Sequence, residues 1–315
     1  MRAAQIHAAG QPPVVVDRPV PAGATVTVTA APITPLDLLC ASGTSYFGVP
    51  ELPYVPGVQG VGVLDNGTPV WFATTAGMRP GDGSMAEHAT VAAEDVVELP
   101  PTADHALVAA LGLSAVAAWM CLTWKGELAP GQTVLVLGAG GVVGQAAVQL
   151  ARIAGAGHVV ACARSASALD RARQLGAHGT VRLDEQDDVD GLAQRMLDAA
   201  GGPVDLVVDP LFGLPAAAAL RTLRAGGRLV NLGGSAGDSC PISSATLRGR
   251  SLHIHGYTNN ELDPEQRRAA LLTVVAHATA GTLTVEHERV ALDAAADAWA
   301  RQHAGTAGGR IVLIP

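Results

Sequence analysis

The chain reads as an α/β protein in which a doubly wound parallel sheet lies between β-rich segments. Three observations lead there. From about residue 106, short apolar runs alternate with helical stretches, the pattern of a parallel sheet covered on both faces. Residues 1 to about 105 instead come in short runs rich in Val, Thr, Pro and Gly. A similar texture returns after Tyr257.

In the first segment, "PPVVV", "ATVTVTA", "GVQGVGVLDNGTPVWFAT" and "EHATVAAEDVVELP" alternate with period two between Gly and Pro. They predict short strands in a barrel-like or sandwich arrangement. Asn66-Gly67 predicts a hairpin turn in which both residues tolerate positive φ. In the second segment six apolar runs predict parallel strands over 133–138, 158–163, 179–183, 205–209, 227–233 and 251–256. Helices are expected between them over 145–154, 168–175, 192–200 and 215–223. Six such strands complete a doubly wound dinucleotide fold. Beyond Tyr257, helices are expected over 264–280 and 293–303, with strands near 286–290 and 310–314.

Composition narrows the function. A net charge of −8 over 315 residues disfavours a surface that neutralises phosphate backbones, so no nucleic-acid partner is expected. The start, MRAAQIHAAGQPP, has no apolar stretch of the signal-peptide kind. The longest apolar run, 106–121, reads as too short and Ala-rich to cross a membrane. Cys40, Cys121, Cys162 and Cys240 lie far apart without a C-x-x-C pair, which suits a reducing compartment. A cytoplasmic protein with no membrane partner is expected. Aromatics make up only 3%, so its core must be built from Ala, Val and Leu.

Gly138, Gly141 and Gly144 sit where the first parallel strand ends and a helix begins, with Val142 and Val143 opening that helix. Gly138 permits the tight turn, Gly141 lets the backbone approach a pyrophosphate, and Gly144 lets the helix pack on the strand. The helix N-terminus then offers N–H groups and positive partial charge to the anion. The alternative is a turn without a ligand. Cofactor choice falls at the end of the second strand, where an acid would hold the ribose 2′-OH of NAD. The chain reads Ala163-Arg164-Ser165 there, with no acid before Asp170. Arg164 suits a 2′-phosphate and Ser165 a hydrogen bond beside it, which points to NADPH; the other reading is an exposed Arg on an ordinary loop.

On these features the sequence resembles the medium-chain dehydrogenase/reductase superfamily, in its zinc-free quinone oxidoreductase-like branch. The motifs are "PLDLLCASG" (35–43), "LPYVPGVQGVGVL" (52–64), "GLSAVAAW" (112–119), "VLVLGAGGVVGQAAVQLAR" (134–152), "RARQLGAHGTV" (171–181), "DLVVDPLFG" (205–213), "GGRLVNLGGSAG" (226–237) and "GGRIVLIP" (308–315). The resemblance implies a doubly wound, Rossmann-type NADPH domain over 114–257, inserted into a chaperonin-10-like catalytic domain made of 1–113 and 258–315. It also implies a homodimer or tetramer and a small-molecule substrate. Zinc-dependent members carry a Cys three residues before an Asp, and later a Gly-His-Glu run. Here Thr34 precedes Asp37 and the run is Gly57-Val58-Gln59, which removes the soft and imidazole ligands.

Without zinc, hydride transfer suits quinones and α,β-unsaturated carbonyls, because the resulting phenolate or enolate spreads its charge. By resemblance Tyr46, in "ASGTSYFG", is either a hydrogen-bond donor to the substrate oxygen or a pocket-wall aromatic. Thr34 or Gln59 supplies a further donor, or Gln59 only satisfies backbone groups; Asp37 reads as structural. Relatives often place a Lys near Ala168, so here the 2′-phosphate falls to Arg164. Ser114, Asp209, Asn231, Leu232, Gly233 and Arg310 inherit cofactor contacts by resemblance. His253 and His255 read as a sheet-edge or oligomer-contact pair, and Cys162 as a small buried residue. Three functions stay open: a general quinone or enone reductase, a dedicated enoyl reductase of a natural-product pathway, and a catalytically weak cofactor-binding protein.

Overall fold

The computed structural model describes residues 1–23 and 25–315, so Ala24, the first residue of the predicted run "ATVTVTA", lies outside the described residues. The chain divides into two compact units, 1–112 with 275–315, and 113–274.

The first unit is β-rich. Its strands are β1 (Arg2–Gln5), β2 (Val14–Asp17), β3 (Thr25–Pro32), β4 (Gln59–Val63), β5 (Pro69–Ala73), β6 (His88–Thr90) and β7 (Val96–Glu98). The helices α1 (Pro35–Ser42) and α2 (His105–Met120) follow β3 and β7. β1 and β2 pair antiparallel, while β3, β4, β5 and β7 lie in order in a larger sheet with β6 also on β3. Ile6, Ile33, Val55, Phe72 and Met85 fill its core. The predicted hairpin joins β4 and β5, but only Gly67 takes positive φ, at 85°. Asn66 contributes its side chain instead, accepting the Thr68 N–H at 3.0 Å.

The second unit holds β8 (Thr133–Val136), α3 (Val142–Ile153), β9 (His158–Ala163), α4 (Ala166–Gln174), β10 (Gly179–Arg182), α5 (Val189–Ala200), β11 (Val204–Asp209), α6 (Gly213–Thr222), β12 (Leu223–Asn231), α7 (Ser244–Arg250) and β13 (His253–Gly256). All six strands run parallel in the order β10-β9-β8-β11-β12-β13. The order reverses between β8 and β11, which creates a crevice at the strands' carboxyl ends. Buried Leu135, Val160, Val207 and Leu229 of the sheet pack with Leu192, Met196 and Leu220 of the helices.

Past β13 come α8 (Pro264–Thr279), β14 (His287–Ala291), α9 (Ala295–His303) and β15 (Arg310–Ile314). β15 pairs parallel with β14 and antiparallel with β3, so the C-terminal strands complete the first unit's sheet. Residues 258–274, which texture assigns to the returning segment, group with the second unit. The cause is local: Tyr257 continues from β13 with its N–H on the Asn231 carbonyl at 2.8 Å, and Asn259 bonds to Leu113.

The apolar run at 106–121 requires a correction. Helical structure continues through Cys121–Lys125, making 21 residues with mean hydropathy 2.0, long and apolar enough to cross a membrane. It is a core element, with 67% of its most apolar window buried, and it breaks at Gly112, where φ is 27° and ψ is −130°.

Candidate active site

The glycine turn has the geometry that its spacing predicts. Gly138 takes φ of 66°, a conformation that L side chains resist. A Cβ on Gly144 would collide with the Gly138 carbonyl oxygen and Ala139 Cα, so α3 crosses the turn too closely for any other residue. Gly141 differs: its φ is −85°, and a Cβ there would meet only Gly138 oxygen, at 3.7 Å. Nothing inside the protein demands glycine at 141; the open face outside it does, if an anion is to reach the backbone. Gly141 is also the N-cap of α3 and has no side chain to accept the first-turn N–H groups of Val142, Val143 and Gly144.

Arg164 stands exposed just past β9. Ser165 caps α4, its hydroxyl accepting the Ala168 N–H at 3.2 Å. Asp209, at the end of β11, is fully buried. Its Oδ1 accepts the N–H groups of Leu211 (2.9 Å) and Phe212 (2.8 Å), and its Oδ2 accepts Asn231 Nδ2 at 3.0 Å. Burial pushes its carboxyl above the usual range, against these hydrogen bonds. Asn231 also donates to Gly233 oxygen at 2.8 Å, and Leu232 N–H to Asp209 oxygen at 2.9 Å. Asp209 and Asn231 therefore fix the loops at the sheet's carboxyl edge from inside. Ser114 is half-buried on α2, two residues past its break.

In the first unit, Thr34, Asp37 and Arg310 come together. Thr34 caps α1: its N–H and hydroxyl donate to Asp37 Oδ2 at 2.7 and 2.6 Å, and its hydroxyl accepts the Asp37 N–H at 3.2 Å. Asp37 Oδ1 accepts the N–H groups of Gly57 (3.1 Å) and Val58 (2.9 Å). Arg310 is 4% exposed and donates to the Ile33 carbonyl at 2.8 Å. Burial pushes the Asp37 carboxyl up and pulls the Arg310 guanidinium down to about 10, while each partner's charge opposes the shift of the other. The Thr34 hydroxyl hydrogen is committed to Asp37, and Arg310 is buried with its guanidinium on the Ile33 carbonyl.

Gln59 has no exposed surface. Its Oε1 accepts Trp71 Nε1 at 3.2 Å, its Nε2 donates to the Ala109 carbonyl at 3.4 Å, and a Cβ on Gly112 would overlap it. Both ends of the Gln59 amide are thus engaged by groups of the fold. Tyr46 is 76% exposed, with its ring 4.3 Å from that of Phe47. Thr34 and Val58 lack zinc-ligand chemistry, and among the described residues no three His, Cys, Asp or Glu side chains cluster as a metal site. Sequence reading gave no individual role to the other two of the chain's three tyrosines. The Tyr54 hydroxyl is buried beside Cys40 and Gly77 with no hydrogen-bond partner among the described residues. The Tyr257 hydroxyl donates to Asn259 Oδ1 at 2.7 Å. The signal that could have found them is scarcity, since a buried Tyr in so aromatic-poor a chain calls for a partner.

Residues 142–275 match the family described as zinc-binding dehydrogenase. The quinone oxidoreductase of Rattus norvegicus is 31% identical over 232 residues, 71% of this chain and 68% of that protein. A likeness of 28% over 309 residues, 91% of this chain, joins it to a phenolphthiocerol/phthiocerol polyketide synthase of Mycobacterium tuberculosis, of which it spans only 13%. The quinone oxidoreductase of Thermus thermophilus, solved alone and in complex with NADPH, superposes with a TM-score of 0.85 at 26% identity over 100% of both chains. The chain belongs to the medium-chain dehydrogenase/reductase superfamily, in its quinone oxidoreductase-like branch.

Proposed function

We propose that this protein is a metal-independent, NADPH-dependent reductase that transfers hydride to a quinone or an α,β-unsaturated carbonyl. One observation carries the reading. An uncapped helix N-terminus opens at Gly141, whose glycine no internal contact requires, and the sheet edge beside it presents exposed Arg164 in place of a carboxylate. The first-turn N–H groups of Val142, Val143 and Gly144 suit a pyrophosphate. Arg164 suits the 2′-phosphate, with Ser165 holding the turn beneath it.

When bound, NADPH supplies the hydride. The chain's own part is to fix the two ends of the dinucleotide, exclude water and donate a hydrogen bond where charge develops on the substrate oxygen. Tyr46 takes that last role. Thr34, Gln59 and Arg310 hold the fold of the first unit through their own buried hydrogen bonds. The substrate is a small molecule, and the protein works in the cytoplasm as a homodimer or tetramer. The likeness to a polyketide synthase over 91% of the chain favours a second reading, an enoyl reductase dedicated to one natural-product intermediate. Calorimetric titration with NADPH and NADH, then turnover on a panel of quinones and enones, tests both. Tighter NADH binding would remove the cofactor assignment, and activity confined to one enone would favour the dedicated enzyme.

A further inference from the structure

Tyr257, Asn259 and Leu113 form a chain of hydrogen bonds within the second unit. Buried Tyr257 leaves β13 and donates its hydroxyl to Asn259 Oδ1 at 2.7 Å. Asn259 Nδ2 donates in turn to the Leu113 carbonyl at 3.1 Å. The opposite amide orientation would set oxygen against oxygen at Leu113, so the network fixes the side chain. Burial pushes the Tyr257 hydroxyl far above its ordinary range, which keeps it a donor. Trp124 meets the Tyr257 ring edge-on at 6.4 Å, and Lys125 Nζ lies 4.0 Å from the Trp124 ring and 2.7 Å from Glu261. The segment from 257 to 261 is thereby tied to the turn at 121–125. Its other tie reaches Leu113, immediately after the break at Gly112 and before Ser114.

Strand order places this cluster functionally. β9, which leads into Arg164, and β13, which leads into Tyr257, lie on opposite sides of the crevice between β8 and β11. A dinucleotide with its pyrophosphate on α3 and its 2′-phosphate at Arg164 extends its other half over the ends of β11 to β13.

We propose that Asn259 is a positioning residue for the nicotinamide half of the cofactor. It holds the Leu113–Ser114 backbone against the segment that follows β13, and so sets the wall on which that half is oriented. The proposal rests on the dinucleotide reading above, and Asn259 acts through the backbone rather than on the reacting atoms.

The test uses the full chain and two probes: NADPH, and adenosine 2′,5′-bisphosphate, which carries the 2′-phosphate but no nicotinamide. Asn259→Asp keeps the acceptor for Tyr257 and replaces the donor with a charge facing the Leu113 carbonyl. It is expected to weaken NADPH binding about 10-fold, to change the emission of the bound nicotinamide, and to leave the bisphosphate within about twofold of wild type. Asn259→Gln, which retains both groups, should recover part of the loss. Asn259→Ala serves the same comparison if the Asp variant does not fold. Unchanged binding of both probes, or equal weakening of both, overturns the proposal. A wild-type chain that binds neither probe fails differently, because it removes the dinucleotide reading itself and the proposal with it.

Discussion

Thr34 and Asp37 cap one another: the carboxylate takes the Thr34 N–H at 2.7 Å and hydroxyl at 2.6 Å, and the hydroxyl takes the Asp37 N–H in return. Two further N–H groups, of Gly57 and Val58, complete the carboxylate. The turn that starts α1 is thus fastened to the chain entering β4, with Arg310 of β15 as counter-charge.

Asp37→Asn should therefore cost stability. It sets an amide donor among four donors and leaves a buried guanidinium without its charge. The expected loss is about 3 kcal/mol by urea denaturation. Adding Arg310→Met should recover part of it, and a cost near zero for the single variant would show that the cluster is not structural.

Gly141→Ala and Gly144→Ala separate binding from folding. The first has room and an ordinary φ, so its melting temperature should hold while NADPH binding weakens. The second forces α3 off the turn and should cost about 1–3 kcal/mol. Equal melting temperatures with equal nucleotide affinities would contradict both assignments.

Arg164→Ala should remove the preference for NADPH over NADH, weakening NADPH about 10-fold or more with little effect on NADH. The readout is the ratio of the two dissociation constants. Parallel changes in both would place the 2′-phosphate elsewhere.

Tyr46→Phe should lower kcat about 10²-fold with NADPH affinity intact, the pattern of a lost proton donor. An unchanged kcat would make Tyr46 a wall residue.

His178 gives a pH dependence. Its Nδ1 accepts the Val159 N–H at 2.9 Å, which leaves that nitrogen without a proton, and the neighbouring Arg152 cation opposes a positive ring. Burial, then Arg152 and His158, lower its pKa from 6.5. With the folded value below the unfolded one, the unfolded chain takes the proton first. Stability is complete above about pH 6.5 and falls as pH drops below it. His178→Gln should flatten that slope in chemical denaturation; an equal slope would assign it to other groups.

Strand and helix identities were legible because a parallel sheet buries both faces and so writes continuous apolar runs, as in 133–138 and 205–209. Gly138 and Gly144 were legible because their constraint lies within one turn. The inward bonding of Gln59 and Arg310 was hidden for the opposite reason. Their partners, Trp71 and Ala109 for Gln59 and Ile33 for Arg310, lie far away in the chain, and a polar residue facing inward looks the same in sequence as one facing a ligand.

The sequence by itself determined the parallel sheet, the tight glycine turn and the absence of a carboxylate directly after β9, since each depends on neighbours a few residues apart. Only the tertiary structure decided which polar side chains are spent holding the fold. It closed Asp37, Gln59 and Arg310 inside, left Tyr46 exposed and tied Tyr257 through Asn259 to Leu113. Those choices follow from long-range hydrogen bonding, because a buried polar group must find its partner wherever the chain brings one.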